Sequence, residues 1–240
     1  MKMTTLPTYT HIEPTEFAGK TAIVIDLLRA TSTICTALHN GCRKVIPVEE
    51  VEEAIRLTRE IGLHTPVVSG GERDGAKLPG FDYGNSPLEY SSTTISGKVL
   101  VLCTTNGTQA FHVAAGAQAV YAGCLNNARA VAKKAVDDGR DIMILCAGTR
   151  CRFSADDVTA AGAIIHRIRE IINIDDADMD DLSHTALWLY EKNRSDLYGL
   201  LQISRPYRTL AQLNRMEDID YCFQEDIVDL VPQFLNGDIV

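Results

Sequence analysis

An apolar run that ends on a carboxylate stands where a metal or a transferred group is usually held. TAIVID (residues 21–26) is such a run, and it closes on Asp26 with Arg29 three residues on. Hard cations such as Mg²⁺ take oxygen ligands, typically one or two carboxylates plus substrate phosphate. The arginine adds a planar fork for an oxyanion. The plainer reading of Asp26 is a turn or capping residue, and the neighbouring Arg29 favours chemistry. Haloacid-dehalogenase phosphatases also place an Asp after a strand, but they need a second one two residues on, where this chain has Leu28.

Further polar groups recur at the ends of other apolar runs. Thr104, Thr105, Asn106, Gly107 and Thr108 form TTNGT, whose amides and hydroxyls would meet an anion at a helix N-terminus. An ordinary N-cap explains the same residues equally well, and no Walker Gly-Lys-Ser/Thr follows. Glu72 and Arg73, in GGER, pair a candidate metal ligand with a candidate anion clamp, against a solvated ion pair of little worth. Asp156 and Asp157 follow Ser154. They fit either a capping box or a carboxylate that joins Asp26 on a metal, with Asp157 ahead. Cys146 and Arg152 have cysteine-phosphatase spacing, yet a buried Cys at a strand end is the better reading. Asp176, Asp178 and Asp180 begin like a calcium loop, but Asp181 stands where Gly is wanted and Leu187 where Glu is. The six histidines have no zinc-ligand spacing.

These groups need elements to hold them. The chain alternates strand, loop and helix: TAIVID, STICTALHN, RKVIPV and EEVEEAIRLTREIG, then again from residue 97 with GKVLVLC, TTNGTQAFHVAAG, AQAVYAG and NNARAVAKKAVDDG. Overlaying the runs sets Asp26 on Cys103, Thr31 on Thr108, Gly41 on Gly116 and Val45 on Val120. This predicts a duplicated βαβα unit, with halves near 21–62 and 97–139, in one domain spanning 1–240. A third run, DIMILCAG, precedes a long helical pattern, and a mostly helical segment is expected over 182–232. The pattern predicts a three-layer α/β/α sandwich with a largely parallel or mixed sheet. Ligands then bind beyond the carboxyl ends of the strands. Residues 70–87, rich in Gly and charge, read as a long functional loop.

Composition bounds the partners. The 240 residues carry 45% hydrophobic and 23% charged side chains, a globular balance. Net charge is −9 without a basic stripe, which argues against nucleic acid or anionic membrane. No apolar run approaches a membrane span, no secretory leader is seen, and seven cysteines without C-x-x-C pairs suit a reducing cytoplasm.

The runs VIDLLRATST, NGCRKVIPVEE, GER, GFDYGNSP, TTNGT, CAG, FSADD and DIDYCFQEDIVDLVP resemble the 2-phosphosulfolactate phosphatases, in order and over nearly the whole chain. The resemblance implies an α/β/α sandwich and a Mg²⁺-dependent phosphohydrolase. Such an enzyme converts 2-phospho-3-sulfolactate to 3-sulfolactate and phosphate, a step towards coenzyme M. It carries site roles to Asp26, Arg29, Glu72, Arg73, Asn85, Ser86, Thr104, Thr105, Asn106 and Asp157. Of these, Asp26, Glu72 and Asp157 are expected at the metal, and Asp26, Arg29 and Arg73 in catalysis. Asn85, Ser86 and the TTNGT residues are expected on a small anionic phosphorylated substrate. The alternatives are a phosphatase for another small phosphocarboxylate and a non-catalytic phosphometabolite-binding module. A homodimer is the commonest default.

Overall fold

The computed structural model describes the backbone of residues 1–240 and every side chain but that of Ala177. Its apolar runs are strands: β1 (Met3–Leu6), β2 (Thr21–Ile25), β3 (Lys44–Val48), β4 (Val67–Arg73), the short β5 (Ala76–Lys77), β6 (Val99–Cys103), β7 (Ala119–Gly123) and β8 (Ile142–Cys146). β2, β6, β7 and β8 are buried at every position. Continuous Val, Ile and Leu, rather than alternation with polar residues, is what a strand covered on both faces requires.

The helices are α1 (Ala30–His39), α2 (Val51–Gly62), the single turn α3 (Ser92–Ile95), α4 (Gly107–Ala114), α5 (Ala128–Asp137) and α6 (Ala155–Ile171). They are followed by α7 (Asp181–Asn193), α8 (Leu197–Leu201), α9 (Arg205–Gln212) and α10 (Met216–Cys222). The strands divide between two sheets. One has the order β1-β8-β2-β7, all parallel; the other runs β5-β4-β6-β3 and continues into a C-terminal hairpin, β10 (Asp238–Ile239) and β9 (Phe234–Leu235). α5 and α6 pack on the first sheet, α2 on the second, and α1 and α4 touch strands of both. The result is the expected α/β sandwich, with parallel ladders and an antiparallel hairpin.

The two βαβαβ runs, β2 to β4 and β6 to β8, exchange strands. β2 lies between β7 and β8, and β6 lies between β3 and β4. Thr21 pairs with Ala119 and Ile142, while Val99 pairs with Lys44 and Val67. This correspondence sets Asp26 against Thr104, one residue beyond the Cys103 of the sequence overlay. Both ends are built alike: the Asp26 carbonyl accepts the Thr31 hydroxyl at 2.9 Å, and the Thr104 carbonyl accepts that of Thr108 at 3.3 Å.

Two expectations are corrected. The glycine-rich stretch from residue 70 begins inside β4 rather than in a loop. A Cβ on Gly70 would lie 2.0 Å from the Tyr90 Oη, and one on Gly71 2.4 Å from the Cys103 carbonyl, so the glycines serve close packing. The helical C-terminal segment ends at Cys222, and the chain closes in the hairpin, whose turn residues Asn236 and Gly237 both have positive φ. Gln233, just before it, bridges to Tyr121, so the hairpin links the edges of the two sheets.

Candidate functional site

The carboxyl ends of β2, β4, β6 and β8 open on one cleft. Asp26, Arg29, Glu72, Asn85, Thr105, Asn106 and Asp157 line it, together with Asp156. The floor is unusually acidic. Asp26, Glu72, Asp156 and Asp157 are each at most 9% exposed. Burial, with the Glu72 and Asp156 charges, pushes the Asp26 carboxyl up to about 7, against the Ala30 N–H and Arg29. Burial likewise lifts Asp156 to about 6. It drives Asp157 well above the carboxylate range, with Asp156 and Asp26 adding to it. Among the described residues, the one buried cation lining the cleft, Arg29, is already ion-paired with Asp218 from α10.

Each carboxylate has its own anchoring. Asp26 Oδ1 accepts the Ala30 N–H at 3.2 Å. Asp157 accepts Leu27 N–H through Oδ1 at 2.9 Å and Gly148 N–H through Oδ2 at 2.8 Å, tying together the loops after β2 and β8. The capping box read at Ser154 is not formed; the Ser154 hydroxyl instead donates to Asp156 Oδ1 at 2.6 Å. Glu72 Oε1 accepts the Thr105 amide at 3.0 Å and its hydroxyl at 2.9 Å, while Oε2 accepts Gly75 N–H at 2.7 Å.

The remaining expected residues divide. Ser86, Thr104, Gly107 and Thr108 lie behind the cleft wall. Ser86 donates to Asp218 at 2.6 Å, and a Cβ on Gly107 would fall 2.5 Å from that of Ala30 and 2.9 Å from Asp26 Oδ2. α4 thus starts directly against Asp26. Arg73 turns away: strand alternation sends Glu72 to the cleft, and Arg73 binds the carbonyls of Glu72 and Glu49, each at 2.9 Å, on the other side. Cys146 is fully buried, and burial raises its thiol well above the ordinary value, which removes the cysteine-nucleophile reading. Asp180 caps α7 by accepting Ser183 N–H, in place of a calcium loop.

Sequence reasoning missed the far wall. Arg150, from the loop after β8, and Arg205, Pro206 and Thr209, from α9, also line the cleft. No motif marks the α9 residues, because only the tertiary fold returns that helix to the strand ends.

Among the described residues, Asn85 Oδ1, buried at the cleft, has no hydrogen-bond partner. Buried polar groups are seldom left so, and at a cleft a ligand is the natural complement. Among the described residues no three His, Cys, Asp or Glu side chains form a group able by themselves to hold a metal ion. Mg²⁺ commonly draws only one or two ligands from protein carboxylates and the rest from water and phosphate. The oxygen-only floor, with its uncompensated charge, fits such an ion.

A family model described as 2-phosphosulpholactate phosphatase matches residues 7–237. Three similar proteins each bear the name "Probable 2-phosphosulfolactate phosphatase". The one from Caldanaerobacter subterraneus subsp. tengcongensis is 42% identical over 99% of this chain and 97% of its own length. That from Clostridium acetobutylicum is 40% identical over the whole of both chains, and that from Clostridium novyi 40% over 98% and 97%.

Proposed function

This chain belongs to the 2-phosphosulpholactate phosphatase family, and we propose that it hydrolyses 2-phospho-3-sulfolactate to 3-sulfolactate and phosphate with Mg²⁺ as cofactor. The reaction is of the kind that serves coenzyme M synthesis. The observation that carries this reading is the charge imbalance of the floor: four buried carboxylates face a single buried arginine that Asp218 already neutralises. A cation and a phosphate together are what such a site accommodates. Asp26, whose Oδ2 accepts no hydrogen bond among the described residues, is the group that would hold the ion, with Asp156 beside it. Glu72 and Asp157, each with both oxygens occupied by backbone N–H groups, shape the site instead. Bound Mg²⁺ supplies Lewis-acid neutralisation of the phosphoryl oxygens.

The chain's own groups supply position and charge. Arg29 is fixed by Asp218 and by the Gly75 carbonyl at 3.0 Å, which leaves guanidinium N–H groups for a phosphoryl oxygen. Asn85 brings an amide to the same space. Glu72 holds the Thr105 backbone in place, so the TTNGT loop is preorganised before substrate arrives. Phosphoryl transfer needs mainly such positioning and charge stabilisation.

The test is phosphate release from 2-phosphosulfolactate and from a panel of phosphocarboxylates, each with Mg²⁺ and with EDTA. Turnover of the sulfonate substrate, lost in EDTA, supports the reading. Preference for another phosphocarboxylate replaces the substrate, and silence across the panel leaves a phosphometabolite-binding module.

A further inference from the structure

The cleft has a second charged zone, set apart from its floor. At the mouth stand Arg150 and Arg205 with Asp74 between the elements that carry them. Arg150 is ion-paired with Asp74 at 2.5 Å, and their side chains are 54% and 73% exposed. A pair so open to water contributes little to stability and is readily exchanged. The hydrogen bond and charge of Arg150, and then the charge of Arg205, hold the Asp74 carboxyl below its ordinary value, so all three groups share one field. Among the described residues, the Arg205 guanidinium enters no hydrogen bond or ion pair, although it lines the cleft. Arg150 and Cys151 both sit in the left-handed region at φ 51° and 59°, a backbone that non-glycine residues adopt sparingly.

The substrate's chemistry has a matching asymmetry. 2-Phosphosulfolactate carries a phosphate on one carbon and a sulfonate on the next, so a floor that takes phosphate and metal leaves the sulfonate pointing to the mouth. A chain of net charge −9 repels such a polyanion at long range, which makes local positive charge at the entrance necessary. Resting on the phosphatase reading above, we infer that Arg205 and Arg150 form the subsite for the substrate's sulfonate, with Asp74 holding Arg150 until the sulfonate displaces it. Arg205 and Arg150 thereby set specificity for a phosphate ester with a second strong anion, and the floor sets reactivity.

Two readouts test this. Turnover of 2-phosphosulfolactate is compared with that of 2-phospholactate, which lacks only the sulfonate, for the natural chain, Arg205→Ala and Arg150→Ala. Binding of 3-sulfolactate to the same proteins is measured by calorimetry. Charge-assisted contacts of this kind lead us to expect the kcat/KM ratio of the two substrates to fall by about tenfold or more in Arg205→Ala, mainly through KM. Weaker 3-sulfolactate binding should accompany it. Equal losses on both substrates, or no loss, overturn the subsite while leaving the phosphatase standing. A natural chain without phosphatase activity that still binds 3-sulfolactate through Arg205 overturns the reaction and keeps the subsite. Neither activity nor binding overturns both.

Discussion

Asp218 and Arg29 form an ion pair behind the carboxyl end of β2, with their side chains 3% and 4% exposed. The aspartate comes from α10 and the arginine from the loop beside Asp26, so the C-terminal helices hold a cleft residue in place. Ser86 completes the pair by donating to the other Asp218 oxygen. A buried pair of this type is strong evidence for positioning and weaker evidence for net stability, since its attraction must first offset desolvation.

Removing one partner is a different matter. Asp218→Ala leaves Arg29 buried, charged and mobile, and should cost about 3–5 kcal/mol in urea unfolding. Phosphatase activity should fall with it, whereas Ser86→Ala should cost about 1 kcal/mol and spare most activity. Equal, small effects of the two substitutions would show that Arg29 does not depend on α10.

Asp26 and Asp157 line the same cleft but should respond differently to the same substitution. Asp26→Asn removes charge from an oxygen, Oδ2, that no donor occupies among the described residues. It is expected to abolish Mg²⁺ binding in calorimetry and to lower kcat by about 10³ or more, the scale of losing a main electrostatic element. Asp157→Asn instead places an amide N–H₂ against the Leu27 or Gly148 N–H. Its principal effect should be lost stability, about 1–3 kcal/mol, with Mg²⁺ still bound. If Asp157→Asn abolishes Mg²⁺ binding in a protein that remains folded, the ligand assignment fails.

Much of this site was legible because its chemistry sits at strand ends that composition makes obvious. Asp26, Glu72 and the Thr105–Asn106 part of the TTNGT loop all follow apolar runs, and the cleft gathers them with Asp157 from the first turn of α6. Reading failed where the decisive partner is distant in sequence. Gly70 and Gly71 look like a loop until Tyr90 and the Cys103 carbonyl are seen pressing on them. Arg73 looked like a clamp until β4 extended through Glu72 and alternation placed the two on opposite sides. Arg205 has no local mark at all. The terminal hairpin did have one, the Asn236–Gly237 pair before Asp238–Ile239, but its two-residue strands carry no periodicity of their own.

Acid stability should depend on a cluster far from the cleft. Asp138 accepts hydrogen bonds from Thr21 and Tyr121, each at 3.0 Å, and from Lys134 at 2.6 Å. Burial works against its ionisation, yet these partners hold its carboxyl below the ordinary value. A depressed folded-state pKa gives stability that is fully present above the unfolded value, about 3.9, and lost as pH falls through the folded one. Between pH 7 and pH 3 the natural chain should therefore lose more unfolding free energy than Asp138→Asn. Parallel losses in urea titrations at the two pH values would assign the acid limb to other carboxylates.

The packing of α6 on α7 should be the least forgiving contact outside the site. Gly162 lies within α6, and a Cβ there would stand 2.0 Å from the Ala186 carbonyl and 2.9 Å from the Tyr190 Cβ. The obstacle is helix backbone, which cannot rotate aside as a side chain can. In an exposed helix, Gly→Ala would stabilise by up to about 1 kcal/mol through propensity. Here that gain is overwhelmed, because α7 must separate from α6 and open the layer behind β8. Gly162→Ala should accordingly destabilise by about 3 kcal/mol or more, the scale of severe overpacking, and lower Tm sharply in a thermal melt. A variant as stable as the natural chain would mean that α7 can shift without cost, and that the α6–α7 layer does not support the α6 first turn that carries Asp157.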